Sequence, residues 1–348
     1  MPSSTSYNIP TMNNLISVIV PTYNGEKFIA QTLESIINQD YENLEILVVD
    51  DVSTDNTVSL ARGILENSGR KFQIIQRTVN GHQSASRNTG LEASNGEYVI
   101  FFDHDDLAEK NFVSSLVREA EEKNADLVFC GFRYFYKNEN RYENDLTLPE
   151  YPLGSPENYL RAWADKKINL WSVWNFIFRK NFIIENHLKF PEDIYIGEDV
   201  EFIHKAVSRS SNISHINKAL YIHVYHASQQ SKADLINRMN YKNLAQQYFL
   251  AYRRALCCII KHTSDKFIRN YVISHCFAEQ FVNQCTLAAQ AGDRVFYDSK
   301  TKYFKHKKVR KIMLSTVKFI FKEPELFFKS LMIVYVPNLY YLMRKKRK

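Results

Sequence analysis

The stretch 96–110, GEYVIFFDHDDLAEK, runs from the apolar residues Val99 to Phe102 straight into Asp103, His104, Asp105 and Asp106. Three carboxylates in four positions repel one another, and the end of a strand is a costly place to collect them without a cation nearby. In an extended chain the side chains alternate, so Asp103 and Asp105 should share one side and His104 should take the other. A second acidic pair, Glu198 and Asp199, follows Gly197 in IGEDVEF. By itself that pair reads as two favourable acids in the first turn of a helix.

The surrounding pattern says what must position these groups. LISVIVPTY, residues 15–23, is a short β-branched run that ends at a proline, as a buried strand does. NGEKFIAQTLESIINQ then carries a helical stripe at Phe28, Ile29, Leu33, Ile36 and Ile37. NLEILVVDDVSTDNT repeats the scheme, with a strand over Glu45 to Val49, acids at its end and Ser53 to Asn56 as plausible helix caps. KFQIIQR, SASRNTGLEASN and YVIFFDHDD continue it as strand, helix and strand. Such a β-α-β-α order predicts an α/β fold with a mostly parallel central sheet and helices on both faces. Ligands of these sheets bind outside the carboxyl ends of the strands. Pro21 to Asn24, Asp50 with Asp51, and Asp103 to Asp106 should therefore converge on one cleft.

Past residue 110 the regularity fades. NFVSSLVREAEEKN reads as a helix, DLVFCGFRYFYKNENRYE as one or two strands, GEDVEFIHKAVSRS as a helix and KALYIHVYH as a strand. From about Ala233 onward the stripes are helical. The expected divisions are a flexible N-terminus (1–14), two halves of one α/β domain (15–110 and 111–232), a helical extension (233–299) and a tail (300–348).

Composition narrows the class. The chain has 348 residues, 45% of them hydrophobic and 24% charged, which is globular and long enough for a sizeable core. Its 21 Tyr and 23 Phe exceed what a core alone asks for and lean toward sugar or membrane contacts. Five cysteines without a C-x-x-C pair fit neither a disulfide frame nor a zinc site. The polar N-terminal stretch lacks a secretory pattern, so a cytoplasmic protein is expected. The net charge of +7 conceals an asymmetry: residues 300–348 hold fifteen Lys and Arg against Glu323 and Glu325, leaving the rest of the chain acidic. The apolar run Leu331 to Pro337 is too short to span a bilayer, whereas basic residues interleaved with aromatics suit an interfacial segment on an anionic membrane. No nucleic-acid motif accompanies the basic residues, so no nucleic acid is expected as partner.

In order and spacing, SVIVPTYNGEKFIAQTLESIINQDYENLEILVVDDVSTDNT, SASRNTGLEASNGEYVIFFDHDD and GEDVEF resemble the family 2 glycosyltransferases. The likeness is dense over about residues 15–110 and looser to about 231. It implies a GT-A fold and an inverting, metal-dependent transfer of a sugar from a nucleotide-sugar donor, of the UDP class, to a glycan or lipid-linked glycan. The implied setting is the synthesis of a bacterial surface polysaccharide such as capsule or lipopolysaccharide, at the inner face of the cytoplasmic membrane.

The resemblance also implies roles. Asp105 would ligate Mn2+ or Mg2+, Asp103 would touch the ribose or assist the metal, and His226 in YIHVYH would meet the diphosphate or the metal. Asp51 would read the base with Tyr23 against it, and Arg87 would meet uracil or the diphosphate. Pro21, Asn24, Glu26 and His104 complete the donor side. Asp199, with Glu198 beside it, becomes the base that takes the proton of the attacking hydroxyl. Trp171 and Trp174 fall on the acceptor side, where an indole face stacks on a pyranose. Two rivals stay open at this stage: a nucleotidyltransferase of similar fold, and a non-catalytic protein that binds a sugar nucleotide or a membrane.

Overall fold

The structure is a computed structural model that describes residues 14–143, 145–147, 155–164, 168, 172–226, 241–290, 293–301, 311, 314, 324–335 and 337–344. Residues 1–13 of the expected flexible N-terminus and much of the basic tail lie outside the described residues, as does Trp171.

The first half follows the alternation read from the sequence. Strand β1 (Ile16–Thr22) leads to α1 (Ile29–Ile37), β2 (Leu44–Asp50) to α2 (Thr57–Glu66), and β3 (Lys71–Gln76) to α3 (His82–Ala93) and β4 (Tyr98–Phe101). A two-residue strand β5 (Leu107–Ala108), α4 (Phe112–Glu122), β6 (Leu127–Tyr136), β7 (Arg141–Tyr142) and α5 (Pro156–Ala164) come next. They are followed by β8 (Phe176–Arg179), α6 (Lys180–Glu185), α7 (Glu198–Arg209) and the long β9 (Ile213–Tyr225). The remaining helices are α8 (Tyr241–His262), α9 (Lys266–Tyr271), α10 (Phe277–Gln290), α11 (Arg294–Thr301), α12 (Pro324–Tyr335) and α13 (Pro337–Arg344).

One sheet runs in the order β3-β2-β1-β4-β8-β6-β9-β5, with β7 beside β6. Its first four strands are parallel, as the α/β pattern requires, but β8 pairs antiparallel with both β4 and β6, while β6 and β9 are again parallel. The sheet is therefore mostly parallel, as expected, with antiparallel pairings where β8 enters between β4 and β6 and at its far edge. The alternation that signals a parallel sheet stops at β4, where the irregular pattern past residue 110 begins.

Period two sorts the strands' side chains onto two faces. Ile19, Leu47, Val49, Val99, Phe101 and Phe129 enter one core, packed by helices that include α7 and α8. Val18, Val20, Ile46, Val48, Ile100 and Val128 enter the other, under α1, α2 and α4. Each such buried aliphatic contributes about 1.5–3 kcal/mol over an exposed one. Leu256, Ile259, Ile268 and Val272 belong to the first core, so the sheet and the start of the helical extension share one interior. Helices α10 to α13 enclose a smaller core of their own that takes in Leu326, Ile333 and Tyr340.

Helix α3, which carries Arg87, must lie close on the sheet. Gly90 permits this: a Cβ there would collide with Ile19 Cγ2 and meet Val49 Cγ2 at 3.2 Å. Gly90→Ala should therefore push α3 outward and cost about 1–3 kcal/mol of stability, read as a lower urea midpoint. An unchanged midpoint would mean that α3 is not held by this contact.

Candidate active site

The carboxyl ends of β1, β2 and β4 open into a cleft of about 1630 Å³, walled on the far side by residues 194–200 and by side chains of α8 and α10. Every donor-side position expected from the sequence except Arg87 lines it: Pro21, Tyr23, Asn24, Glu26, Asp51, Asp103 and His104, together with Asp105, Glu198, Asp199 and His226.

At its floor sits Arg87, on the second turn of α3, its side chain 1% exposed. One Nη donates to Asp103 Oδ1 at 2.9 Å, and the other donates to Asp199 Oδ1 at 2.5 Å and reaches Glu198 Oε1 at 3.4 Å. The ring of Phe190 lies 5.2 Å from the guanidinium carbon. Burial disfavours the charge, but Asp199, Asp103 and Glu198 outweigh it and hold Arg87 firmly protonated. This corrects the expected role of Arg87 at the base or diphosphate: its guanidinium is buried and spent on carboxylates. The cation implied by the opening acids is, for Asp103, a residue of the chain itself.

Three carboxylates around one cation leave an excess of negative charge, which a bound proton relieves. Burial and the neighbouring Asp199 push Glu198 from the ordinary 4.5 up to about 8, so it carries that proton at neutral pH. Burial also raises the proton affinity of Asp199, against Arg87 and with Asp103. Gly197 delivers both acids. Its φ of +87° is left-handed, and a Cβ there would lie 3.1 Å from Ala251 Cβ and 3.4 Å from Tyr248 Cδ1.

The acids after β4 do not alternate as an extended chain would. The chain turns, Asp106 N donating to Asp103 O at 3.3 Å, and the Thr32 hydroxyl donates to the carbonyls of His104 and Asp106. His104 therefore faces the cleft with Asp103 and Asp105 instead of pointing away, its ring against Gly25, where a Cβ would come within 2.5 Å. Asp105 Oδ2 lies 3.0 Å from His226 Nε2, and His226 stacks on Phe28 with ring centroids 3.9 Å apart. Burial opposes the charge on Asp105, but the His226 hydrogen bond and the nearby histidines prevail and hold it below the usual carboxylate range. Asp106 is an interior anchor that accepts from Tyr221 Oη, His223 Nδ1 and Val224 N at 2.8–2.9 Å.

Other expected site residues have structural commitments. Asp51 accepts from Arg77 at 2.5 Å and from the backbone N–H groups of Gly81 and His82, which ties β2 to the start of α3. Asn24, at φ +49°, accepts from Thr54 N, and Glu26 accepts from Asn56 N, so both pin the loop after β1 to the loop after β2. Tyr23 is 48% exposed at the cleft mouth. Trp174, expected on the acceptor side, is buried, its indole stacked 4.4 Å from Tyr221 and 5.5 Å from His223, and it does not line the cleft. The sequence reading missed Tyr248, Tyr252, Glu279, Asn283 and Gln284, which line the cleft from α8 and α10. Their helices carry an ordinary amphipathic stripe, and no local motif marks the positions that face the cleft.

Comparison with known proteins places this geometry. Residues 17–185 match the family model described as glycosyl transferase family 2. The uncharacterized glycosyltransferase EpsJ of Bacillus subtilis (strain 168) is 30% identical over 211 residues, an alignment that covers 60% of this chain and 60% of EpsJ. The chain thus spans about three fifths of the length of this relative. Among solved structures, S. aureus TarS in complex with UDP-GlcNAc superposes with a TM-score of 0.71 at 20% identity, covering 96% of this chain and 93% of the other. The mannosyltransferase PcManGT of Pyrobaculum calidifontis, in complex with GDP-Man and Mn2+, gives 0.54 at 19% identity over 95% and 88%.

Because Glu198 binds its proton more tightly folded than unfolded, its contribution to stability is full below about pH 4.5, shrinks as pH rises and is gone above about 8. Unfolding free energies of the chain should fall from pH 6 to 9 more steeply than those of Glu198→Gln, the gap reaching a few kcal/mol, on the order expected for a shift of this size. Parallel curves would show that Glu198 does not hold the proton.

Proposed function

We propose that the chain, whose residues 17–185 match glycosyl transferase family 2 and lie on a GT-A fold, transfers a sugar, with inversion, from a UDP-sugar to a hydroxyl of a glycan or lipid-linked glycan. The observation that carries this reading is the Arg87 cluster, which opens a carboxylate into a cleft large enough for a nucleotide-sugar and an acceptor together.

Asp199 takes the proton of the acceptor hydroxyl as its oxygen attacks the anomeric carbon from the face opposite the nucleotide. The new oxygen–carbon bond forms while the bond from that carbon to the β-phosphate oxygen breaks. Burial raises the proton affinity of Asp199, which favours it as a base, and Arg87 holds it in place. Glu198, already protonated, leaves Asp199 as the accepting group of the pair. The base and ribose of the donor would lie along Pro21 to Asn24 and Asp51, with Tyr23 free to cover the base.

The donor set near the diphosphate fits a divalent cation. Asp105 is an ionised carboxylate facing the cleft, with the His226 imidazole 3.0 Å away and Asp103 two residues before it. Among the described residues no three His, Cys, Asp or Glu side chains form a complete ligand cage. Mg2+ and Mn2+ commonly use one or two carboxylates and complete their shell with substrate phosphates and water, so a full cage is not needed. When bound by Asp105, with Asp103 and His226 beside it, the ion would neutralise the charge that builds on the departing diphosphate.

The tail supports a membrane setting. No helix among the described residues is long and apolar enough to cross a bilayer. Phe328 and Tyr335 on α12, and Leu339 and Met343 on α13, are exposed beside a strongly basic sequence. Together they would rest an enzyme of lipid-linked glycans on an anionic surface.

Nucleotide release from a panel of UDP-, GDP-, dTDP- and CMP-sugars, with Mn2+, Mg2+ or EDTA, tests the reading. One UDP-sugar should be hydrolysed slowly and only with metal, and Asp105→Ala should abolish the signal. Once the acceptor is in hand, Asp199→Asn should lower transfer by about 10²–10⁴-fold, while Glu198→Gln, a mimic of the protonated acid, should lower it far less. Pyrophosphate in place of UDP, or full transfer by Asp199→Asn, would contradict the proposal.

A further inference from the structure

The acids that open α7 meet Arg87 just after the chain turns at Gly197, and that turn is held from outside the cleft by α8. Arg254 of α8 donates through both ends of its fork to Asp193, from Nη1 to Oδ1 at 2.8 Å and from Nη2 to Oδ2 at 2.6 Å. The same Nη1 lies 3.6 Å from Oε2 of Glu201, a buried acid of α7 that also pairs with Lys205. Asp193 stands four residues before Gly197 and Glu201 four after it, so one guanidinium fastens both sides of the turn. Two helical turns earlier on α8, Gln247 Oε1 accepts from the backbone N–H of Tyr195 at 2.9 Å. Between them sits Ala251, whose Cβ would lie 3.1 Å from a Cβ on Gly197. Residues 247, 251 and 254 fall at i, i+4 and i+7, which is one face of a helix.

That face fixes the direction of the turn as well as its distance. A forked pair between arginine and carboxylate sets orientation in a way that a point charge does not. The N–H of Tyr195 belongs to an irregular segment with no ladder to join, and Gln247 supplies its acceptor. From the opposite side the Tyr195 ring meets that of His82, the first residue of α3, with centroids 4.2 Å apart. The segment before the proposed base is thus gripped between α8 and the helix that carries Arg87. Neither Arg254 nor Gln247 lines the cleft, so each can act on the reaction only through this segment.

We propose that Arg254, assisted by Gln247, is a positioning residue: it staples the turn at Gly197 and so sets where Asp199 meets the attacking hydroxyl. The inference rests on the glycosyltransferase reading and deepens it, giving the helical extension a part in the transfer site. A base must stand within hydrogen-bond reach of the proton it takes, and a displacement of about 1 Å can cost on the order of 100-fold in rate.

The test compares Arg254→Met, Arg254→Lys and Asp193→Asn with the full parent chain. UDP with Mn2+ is the binding probe, and turnover is nucleotide release to water from the UDP-sugar that the parent chain hydrolyses. Arg254→Met keeps most of the side chain's length and removes its charge and fork. It should bind UDP as the parent does and keep the parent KM, while kcat falls about tenfold, as for a base held loosely rather than lost. Arg254→Lys restores the charge without the fork and should recover part of that loss. Asp193→Asn should lower kcat in the same sense and add little in the Arg254→Met background, because both changes remove one pairing. Amide hydrogen exchange over residues 193–199 should quicken in Arg254→Met and stay at the parent's rate over β1 to β4. Asp193→Asn, at an exposed position, serves if Arg254→Met does not fold.

The inference is overturned if the variants keep the parent kcat, if UDP binding and kcat fall together, or if exchange over 193–199 is unchanged. A parent chain that releases nucleotide from no UDP-sugar would bring down the glycosyltransferase reading and this inference with it. Turnover by the parent, matched by the variants, would bring down this inference alone.

Discussion

A single buried guanidinium organises the cleft. Arg87 sits beneath the surface of α3 and gathers carboxylates from two places far apart in the chain, Asp103 after β4 and Glu198 with Asp199 at the start of α7. Removing one partner from a buried charged cluster of this kind costs about 3–5 kcal/mol, because the charges left behind are unpaired. The surrounding structure is arranged around that requirement. Gly90 lets α3 lie close enough to the sheet, Asp51 ties the start of α3 to β2, and Gly197 turns the chain so that both acids of α7 face the same cation.

Two groups of acids that look alike in sequence are separated by their environments. Asp105 is held below the ordinary carboxylate range and faces the cleft beside His226, as a metal ligand or phosphate neighbour requires. Glu198 is driven up to about 8 by burial and by Asp199, and becomes the proton reservoir of its cluster. Asp106 is raised to about 6 by burial and stays an interior anchor, paired with a His223 whose affinity for its proton is lifted to about 9, chiefly by Asp106 against the cost of burial. The environments push these affinities apart, and that divergence separates candidate ligand, candidate base and structural anchor.

Much of this was legible in the sequence, and the limits were physical. The β-α-β-α order of residues 15–110 and the convergence of three acidic strand ends follow from patterns of two and 3.6 residues, which are local properties. The mixed half of the sheet, with β8 inserted between β4 and β6, depends on long-range pairing that no local period encodes. Arg87 looked like a ligand-binding residue because its partners Glu198 and Asp199 are more than 110 positions away. Trp174 looked like a sugar platform because burial, not residue type, decides whether an indole face is available. Tyr248 and its neighbours on the cleft wall were invisible, since an amphipathic helix announces its buried stripe but not which of its residues will face the cleft.

Arg87 holding Asp199 as an ionised base beside a protonated Glu198 is the arrangement on which the proposed chemistry stands. Carbon-13 NMR of the side-chain carboxyls of Glu198 and Asp199, followed from about pH 5 to 10, reads both protonation states at once. The Glu198 resonance should stay at the protonated position at pH 7 and move with a midpoint near 8, while that of Asp199, the carboxyl in direct contact with Arg87, should move at a pH above the ordinary range of an aspartate. Both carboxyls ionised at pH 6, or the proton residing on Asp199 at pH 7, would contradict that arrangement.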